Sequence, residues 1–314
     1  MRTLLIASAL GIMLVASGAA AAPGSKSGGD AFPGRNGEIV FAVERRQQYA
    51  DLYLMRPDGT RLRRITSSRG SDVFPAWSPD GKWIAYISNG SRPRDERALE
   101  IYVMRANGTG RRRVTRDRSI DYFLAWAPDG KHLVFESNRP PASPSGLSGL
   151  WVMNVNGTGV RRLAEEATDS AWSPDGKTIA FRRYNSAGIW LMNSDGSNQR
   201  QLTVPPRQPE SESGGSDQTP DWSPDGQQIA FERAYRGRRD IYAIRRDGSG
   251  LRRLTSEAGQ HISPAWSPNG RRIAFVTLRY QKREIDVMNA DGTHQKRLST
   301  GLGEYVHPDW QPLR

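Results

Sequence analysis

The chain has 314 residues, with 45 Lys and Arg against 33 Asp and Glu, a net charge of +12 and no cysteine. Without cysteine there are no disulfides, no thiolate metal sites and no cysteine nucleophile. Past the N-terminus no stretch is apolar enough to cross a bilayer as a helix, in a chain that is 36% hydrophobic.

Arg2 precedes an apolar run from Leu4 to Val15 that ends in the small residues Ala19 to Ala22. This order of charge, apolar core and small residues predicts a secretory signal peptide over 1–21, and hence a periplasmic or secreted protein. Residues 22–35 are rich in Gly, Ser and Pro and read as a flexible linker.

From residue 36 to 314 one unit repeats. Its mark is WSPDGK at 77, which returns as WAPDGK at 126, WSPDGK at 172, WSPDGQ at 222 and WSPNGR at 266, with a degenerate WQP at 310. Trp77, Trp126, Trp172, Trp222, Trp266 and Trp310 thus stand 44 to 50 residues apart, a period of solenoids and propellers. In each unit an extended segment ends at the Trp, and Pro-Asp-Gly turns the chain into an apolar run such as WIAYI at 83 or QIAFE at 228. A third strand follows, as in EIYVM at 100 or DIYAI at 240, and then a second tight turn at Asp-Gly or Asn-Gly. A fourth strand closes the unit, as in RRRVT at 111 or LRRLT at 251. Four antiparallel strands repeated six times predict an all-β, six-bladed β-propeller. The opening blade lacks an inner strand of its own, and YVHPDWQP at 305 supplies it, so the C-terminal strand closes the ring.

Antiparallel order places both kinds of tight turn on one face. The other face carries the links between blades and the longer loops at 88–100, 137–149 and 204–217. Binding is expected there, because loops on a rigid scaffold carry function. At the strand entrances on that face Asp72, Asp121, Asp217 and His261 stand five residues before their Trp, and Asp169 and His307 three before theirs. An even offset keeps side chains on one side of a strand, so these six are candidates for a binding set at the channel mouth. They could hold a divalent cation, or simply cap turns and satisfy backbone donors at the strand starts. The basic excess falls on the outer strands, for example Arg63, Arg64 and Arg111 to Arg113, and reads as an exposed rim that discourages edge pairing. Spread around a ring, these charges suit anionic envelope polymers rather than a nucleic-acid groove. No G-x-S-x-G elbow, Walker loop, HExxH or dinucleotide fingerprint occurs.

WSPDGKxIAF, then IYVM, a DG turn and RRLT, resembles the propeller repeat of the TolB-like proteins over roughly residues 36 to 312. The resemblance implies the propeller alone, without the N-terminal α/β domain of TolB, and a protein partner in the envelope, which TolB binds through its propeller. The repeat is also similar to the propeller of the prolyl oligopeptidases, where a separate hydrolase domain carries the chemistry. The expectation is therefore a monomeric, non-enzymatic binding module without a cofactor. The alternative is a propeller lyase or hydrolase acting on a polysaccharide or peptide with a metal at the channel mouth.

Overall fold

The computed structural model describes residues 32–45, 49–90, 99–117, 119–141, 143, 145–206, 215–280, 282–299 and 303–314. The signal peptide and the linker as far as residue 31 lie outside the described residues, as do 91–98 and 207–214 of the long loops. The strands form six four-stranded antiparallel sheets, and no helix occurs among the described residues.

Blade 1 joins the two ends of the chain. Its inner strand is Glu304–Leu313, followed outward by Arg35–Arg45, Tyr49–Met55 and Arg63–Arg64. Closure is thus by the C-terminal strand, with Ala42 opposite Val306 and Ile39 opposite Trp310. The packed fold reaches back before residue 36, since Phe32 is buried and the Gly34 N–H donates to the Pro268 carbonyl at 3.1 Å. Blade 2 runs Asp72–Trp77, Trp83–Ser88, Glu100–Arg105 and Arg112–Arg113, and blade 3 runs Asp121–Trp126, His132–Ser137, Gly149–Asn154 and Arg161–Ala164. Blade 4 holds Ala167–Trp172, Thr178–Arg183, Ile189–Asn193 and Arg200–Gln201. Blade 5 holds Ser216–Trp222, Gln228–Tyr235, Arg238–Arg245 and Arg252–Arg253, and blade 6 holds Gln260–Trp266, Arg272–Arg279, Lys282–Asn289 and Lys296–Arg297.

The repeated residues explain the repeated geometry. Each of the six tryptophans is buried at a blade boundary, where a large flat ring fills the wedge between sheets. Three indoles also donate across the boundary, Trp126 to the Ala76 carbonyl at 3.1 Å, Trp222 to Ala171 at 3.2 Å and Trp310 to Ala265 at 3.1 Å. In the WSPDG turn Ser78 Oγ accepts the Trp83 N–H and donates to Asp80, whose carboxylate accepts the Lys82 N–H. The same bonds recur at Ser173 and Ser223 and, with the Asn269 amide oxygen in place of a carboxylate, at Ser267. Ser and Asp at these positions therefore lock the hairpin with side-chain oxygens.

All six inner strands carry a bulge. In blade 2 Val73 faces Ile87 and Ala76 faces Ala85, so one extra residue is fitted into the inner strand. Corresponding register shifts occur in the other five blades. The residue three before each Trp sits in the left-handed region: Phe74, Phe123, Asp169, Thr219, Ser263 and His307, with φ between 42° and 55°. None is glycine, so each carries strain that the surrounding sheet must hold. Pro75, Pro220, Pro264 and Pro308 follow four of these residues and fall within the bulge, where no ladder bond is asked of them.

Candidate functional site at the channel

The bulge sorts the six expected site residues into two groups. Those five before the Trp turn away from the centre into their blades. Asp217 makes two bonds to Arg233, at 2.6 and 2.7 Å. Asp121 accepts from Arg139 at 2.8 Å, and Asp72 from Ser88 at 2.6 Å and from Arg111 at 3.3 Å. All three aspartates are buried, and burial pushes their carboxyls up against the pull of the arginine beside each. Each arginine lies over an aromatic ring: Arg111 is 4.6 Å from Tyr102, Arg139 4.7 Å from Phe135 and Arg233 5.0 Å from Tyr242. These are desolvated carboxylate, guanidinium and ring stacks that build the blade. His261 is also buried, with its ring nitrogen 3.2 Å from Asp240 of the preceding blade, and burial lowers its pKa.

Asp169 and His307, three before the Trp, meet the inner strands of neighbouring blades instead, Asp169 at the Thr219 N–H and His307 at Phe74. His307 stacks on Phe74 at 4.4 Å, and Phe74 packs edge-on to Phe123 at 4.6 Å. Side chains from blades 1, 2 and 3 therefore meet, and the remaining members of this ring are Asp169, Thr219 and Ser263. Among the described residues, no group of three or more His, Asp or Glu is placed to hold a metal ion. An even offset along a regular strand would have put both groups on one side. The extra residue of the bulge breaks that parity.

The bulge ring is aromatic on one side and polar on the other, and a second layer repeats the division. The residue after the aromatic of each second strand is Ala42, Ile87 and Val276 in blades 1, 2 and 6, but Glu136, Arg182 and Glu232 in blades 3, 4 and 5. Their partners across the sheet are Tyr122, Thr168 and Gln218. Glu136 is buried and accepts from the Thr168 hydroxyl and, at 2.6 Å, from the Tyr184 hydroxyl. Glu232, equally buried, pairs with Arg239 at 2.7 Å. Asp169 lies between them, 2% exposed, and the Thr219 N–H donates to it. Burial, with Glu136 and Glu232 adding to it against the pull of Arg182, pushes the Asp169 carboxyl up to about 7. Of these charges the sequence reading singles out Asp169 but not Glu136, Arg182 or Glu232. The signal was there: three consecutive blades replace an apolar repeat position by a charge.

The outer arginines are less free than an exposed rim. Arg64 pairs with Asp51, Arg113 with Glu100, Arg253 with Asp240 and Arg297 with Glu284, each acid standing near the start of the third strand of its blade. In blades 3 and 4 glycine stands there. A Cβ on Gly149 would lie 2.6 Å from the Ala164 carbonyl oxygen, and one on Gly188 1.9 Å from that of Thr203. Those two glycines let the outer strand approach where no acid holds it.

The architecture has known counterparts. Residues 35–187 match the Tricorn protease N-terminal beta propeller domain, and residues 204–313 match the TolB beta propeller domain. Over 53 residues, 17% of this chain, the sequence is 47% identical to a protein TolB homolog of Chlorobium luteolum, and that match spans 12% of the relative's length. Among solved structures, TolB from Acinetobacter baumannii superposes with a TM-score of 0.70 at 23% identity, over 88% of this chain and 67% of that one. An oligogalacturonate lyase in complex with manganese reaches a TM-score of 0.57 at 18% identity, over 87% of this chain and 77% of that one. At these identities the structural likeness speaks for fold alone. With the repeat, the closed ring and the matched domains in agreement, the chain is a six-bladed β-propeller whose repeat is similar to that of the TolB propellers.

Proposed function

We propose that the protein is a non-enzymatic binding module of the cell envelope, periplasmic or secreted, that engages a protein partner through the long-loop face. The observation that carries this reading is where large apolar side chains are left in solvent. Tyr280 is 98% exposed and Val204 78%, and both stand on the long-loop face, at the hairpin between Arg272–Arg279 and Lys282–Asn289 and on the link from blade 4 to blade 5. On the tight-turn face Leu62, Val160 and Leu251 are only 36–47% exposed. Tyr280 also holds a left-handed backbone, φ 50°, at a hairpin tip where glycine or asparagine would be relaxed. A strained, solvated tyrosine gains most when a partner covers it, and tyrosine is among the residues that dominate interfaces. The pairing of Asp72, Asp121 and Asp217 with arginines, and of His261 with Asp240, supports a structural rather than a catalytic use of those residues.

The test is capture of partners from envelope extract by the full chain, the Tyr280→Ser/Val204→Ser double variant and a Leu62→Ser control. The double variant is expected to lose the captured protein while the control retains it. Equal capture by all three would contradict the reading.

A further inference from the structure

Three oxygens capable of accepting a hydrogen bond lack a partner in the polar half of the channel: Asp169 Oδ1, Thr219 Oγ1 and Gln218 Oε1. Their residues are 2%, 0% and 4% exposed. The Thr219 N–H donates to Asp169 and Gln218 precedes Thr219 in the chain, so the three residues are neighbours on adjacent inner strands. Leaving such atoms unsatisfied in the interior is costly, and a ring that packs Phe74, Phe123 and His307 on one side has kept them on the other.

The charges there are one positive short. Glu136, Asp169 and Glu232 face Arg182 and Arg239, and Arg239 is engaged with Glu232. Arg182 is half-buried, makes no ion pair with a described residue, and leaves its Nε without a partner. Burial pushes the Glu136 carboxyl up as well, and that of Asp169 to about 7, so a cation delivered here would meet carboxyls that burial disposes to hold a proton.

We propose that the acceptors of Asp169, Thr219 and Gln218, beside Glu136 and Glu232, receive the ammonium group of a lysine side chain carried by the partner and inserted from the long-loop face. An ammonium has three donors and no acceptor, which matches three unpartnered acceptors. It is a compact charge on a narrow stem, suited to a channel otherwise filled by side chains. With Arg182 and Arg239 in place, one ammonium balances the three carboxylates. A carboxylate ligand would instead raise an excess of negative charge. The proposal rests on the partner-binding reading above, but its test does not need the partner.

The experiment titrates Nα-acetyl-L-lysine methylamide into the full chain, followed by NMR or calorimetry. The Nε-acetylated analogue and Nα-acetyl-L-glutamate methylamide serve as controls. Only the free lysine compound is expected to bind, and since it displaces the Asp169 proton its affinity should fall about tenfold for each pH unit below about 7. Asp169→Asn, which suits the left-handed backbone, should weaken binding about tenfold or more at about pH 8. Should that variant fail to fold, Thr219→Val decides by the same loss. Absence of millimolar binding, equal binding by the folded variants, or equal binding of either control would overturn the proposal. Capture that still depends on Tyr280 would then leave the partner-binding reading standing.

Discussion

Asp309 stands one residue before the last tryptophan and ties the closing strand to blade 2. Its carboxylate accepts the Trp77 N–H at 2.6 Å, across the blade boundary, and the Trp310 N–H at 2.8 Å. It is 1% exposed, and burial pushes its carboxyl from 3.8 to about 8 despite both bonds. A carboxyl that the fold keeps protonated contributes its full stability below about pH 4. That contribution is lost as pH rises through about 8, because the unfolded chain can then ionise and the folded one resists. Each unit of displacement is worth about 1.4 kcal/mol. Asp309→Asn should therefore gain on the parent protein as pH rises, shown by thermal melts of both from about pH 5 to about pH 9. A difference in melting temperature that does not change with pH would contradict this account.

At the scale of the strand, the most economical element is the outer one. In five blades it is a two-residue strand, and the hydroxyl two residues beyond it does the work of a further backbone acceptor. Thr66, Thr115, Thr203, Thr255 and Ser299 accept the N–H of Leu52, Ile101, Ile189, Ile241 and Ile285 at 2.7 to 2.9 Å. Blade 3 has Ala164 at this position, and its outer strand is four residues long, with Ala164 paired to Leu150 through the backbone. The Thr of the RRLT motif is thus a strand terminator. Thr203→Val keeps the volume but leaves the buried Ile189 N–H without its 2.8 Å acceptor, and should cost about 1–3 kcal/mol in a denaturant titration. A loss within about 0.5 kcal/mol would deny the hydroxyl this role. The strands themselves were legible from the sequence because turn chemistry brackets each apolar run. The function of this Thr was not, since one hydroxyl at the end of a basic segment looks like any surface residue.

For the whole molecule, six units and their closure could be read from the Trp–Pro–Asp–Gly repeat and from the unpaired strand at 305. What could not be read was the direction of the candidate residues. Phe74, Phe123, Asp169, Thr219, Ser263 and His307 share a left-handed backbone, yet no glycine marks it, and only the proline beside four of them hints at irregular pairing. That single inserted residue per strand sends Asp72, Asp121 and Asp217 to their arginines. It leaves Asp169 among charges from three blades. The ring is a rigid frame with one face of locked hairpins and one of longer, variable loops, and the account assigns recognition to the second. Hydrogen exchange on the full chain, with and without the captured partner, tests this most directly. Protection is expected at 137–149, at the link bearing Val204 and at the hairpin tip of Tyr280, with the turns at Asp58–Gly59, Asn156–Gly157 and Asp247–Gly248 unchanged. Protection confined to those turns, with the loop face exchanging as in the free protein, would place recognition on the opposite face and contradict the account.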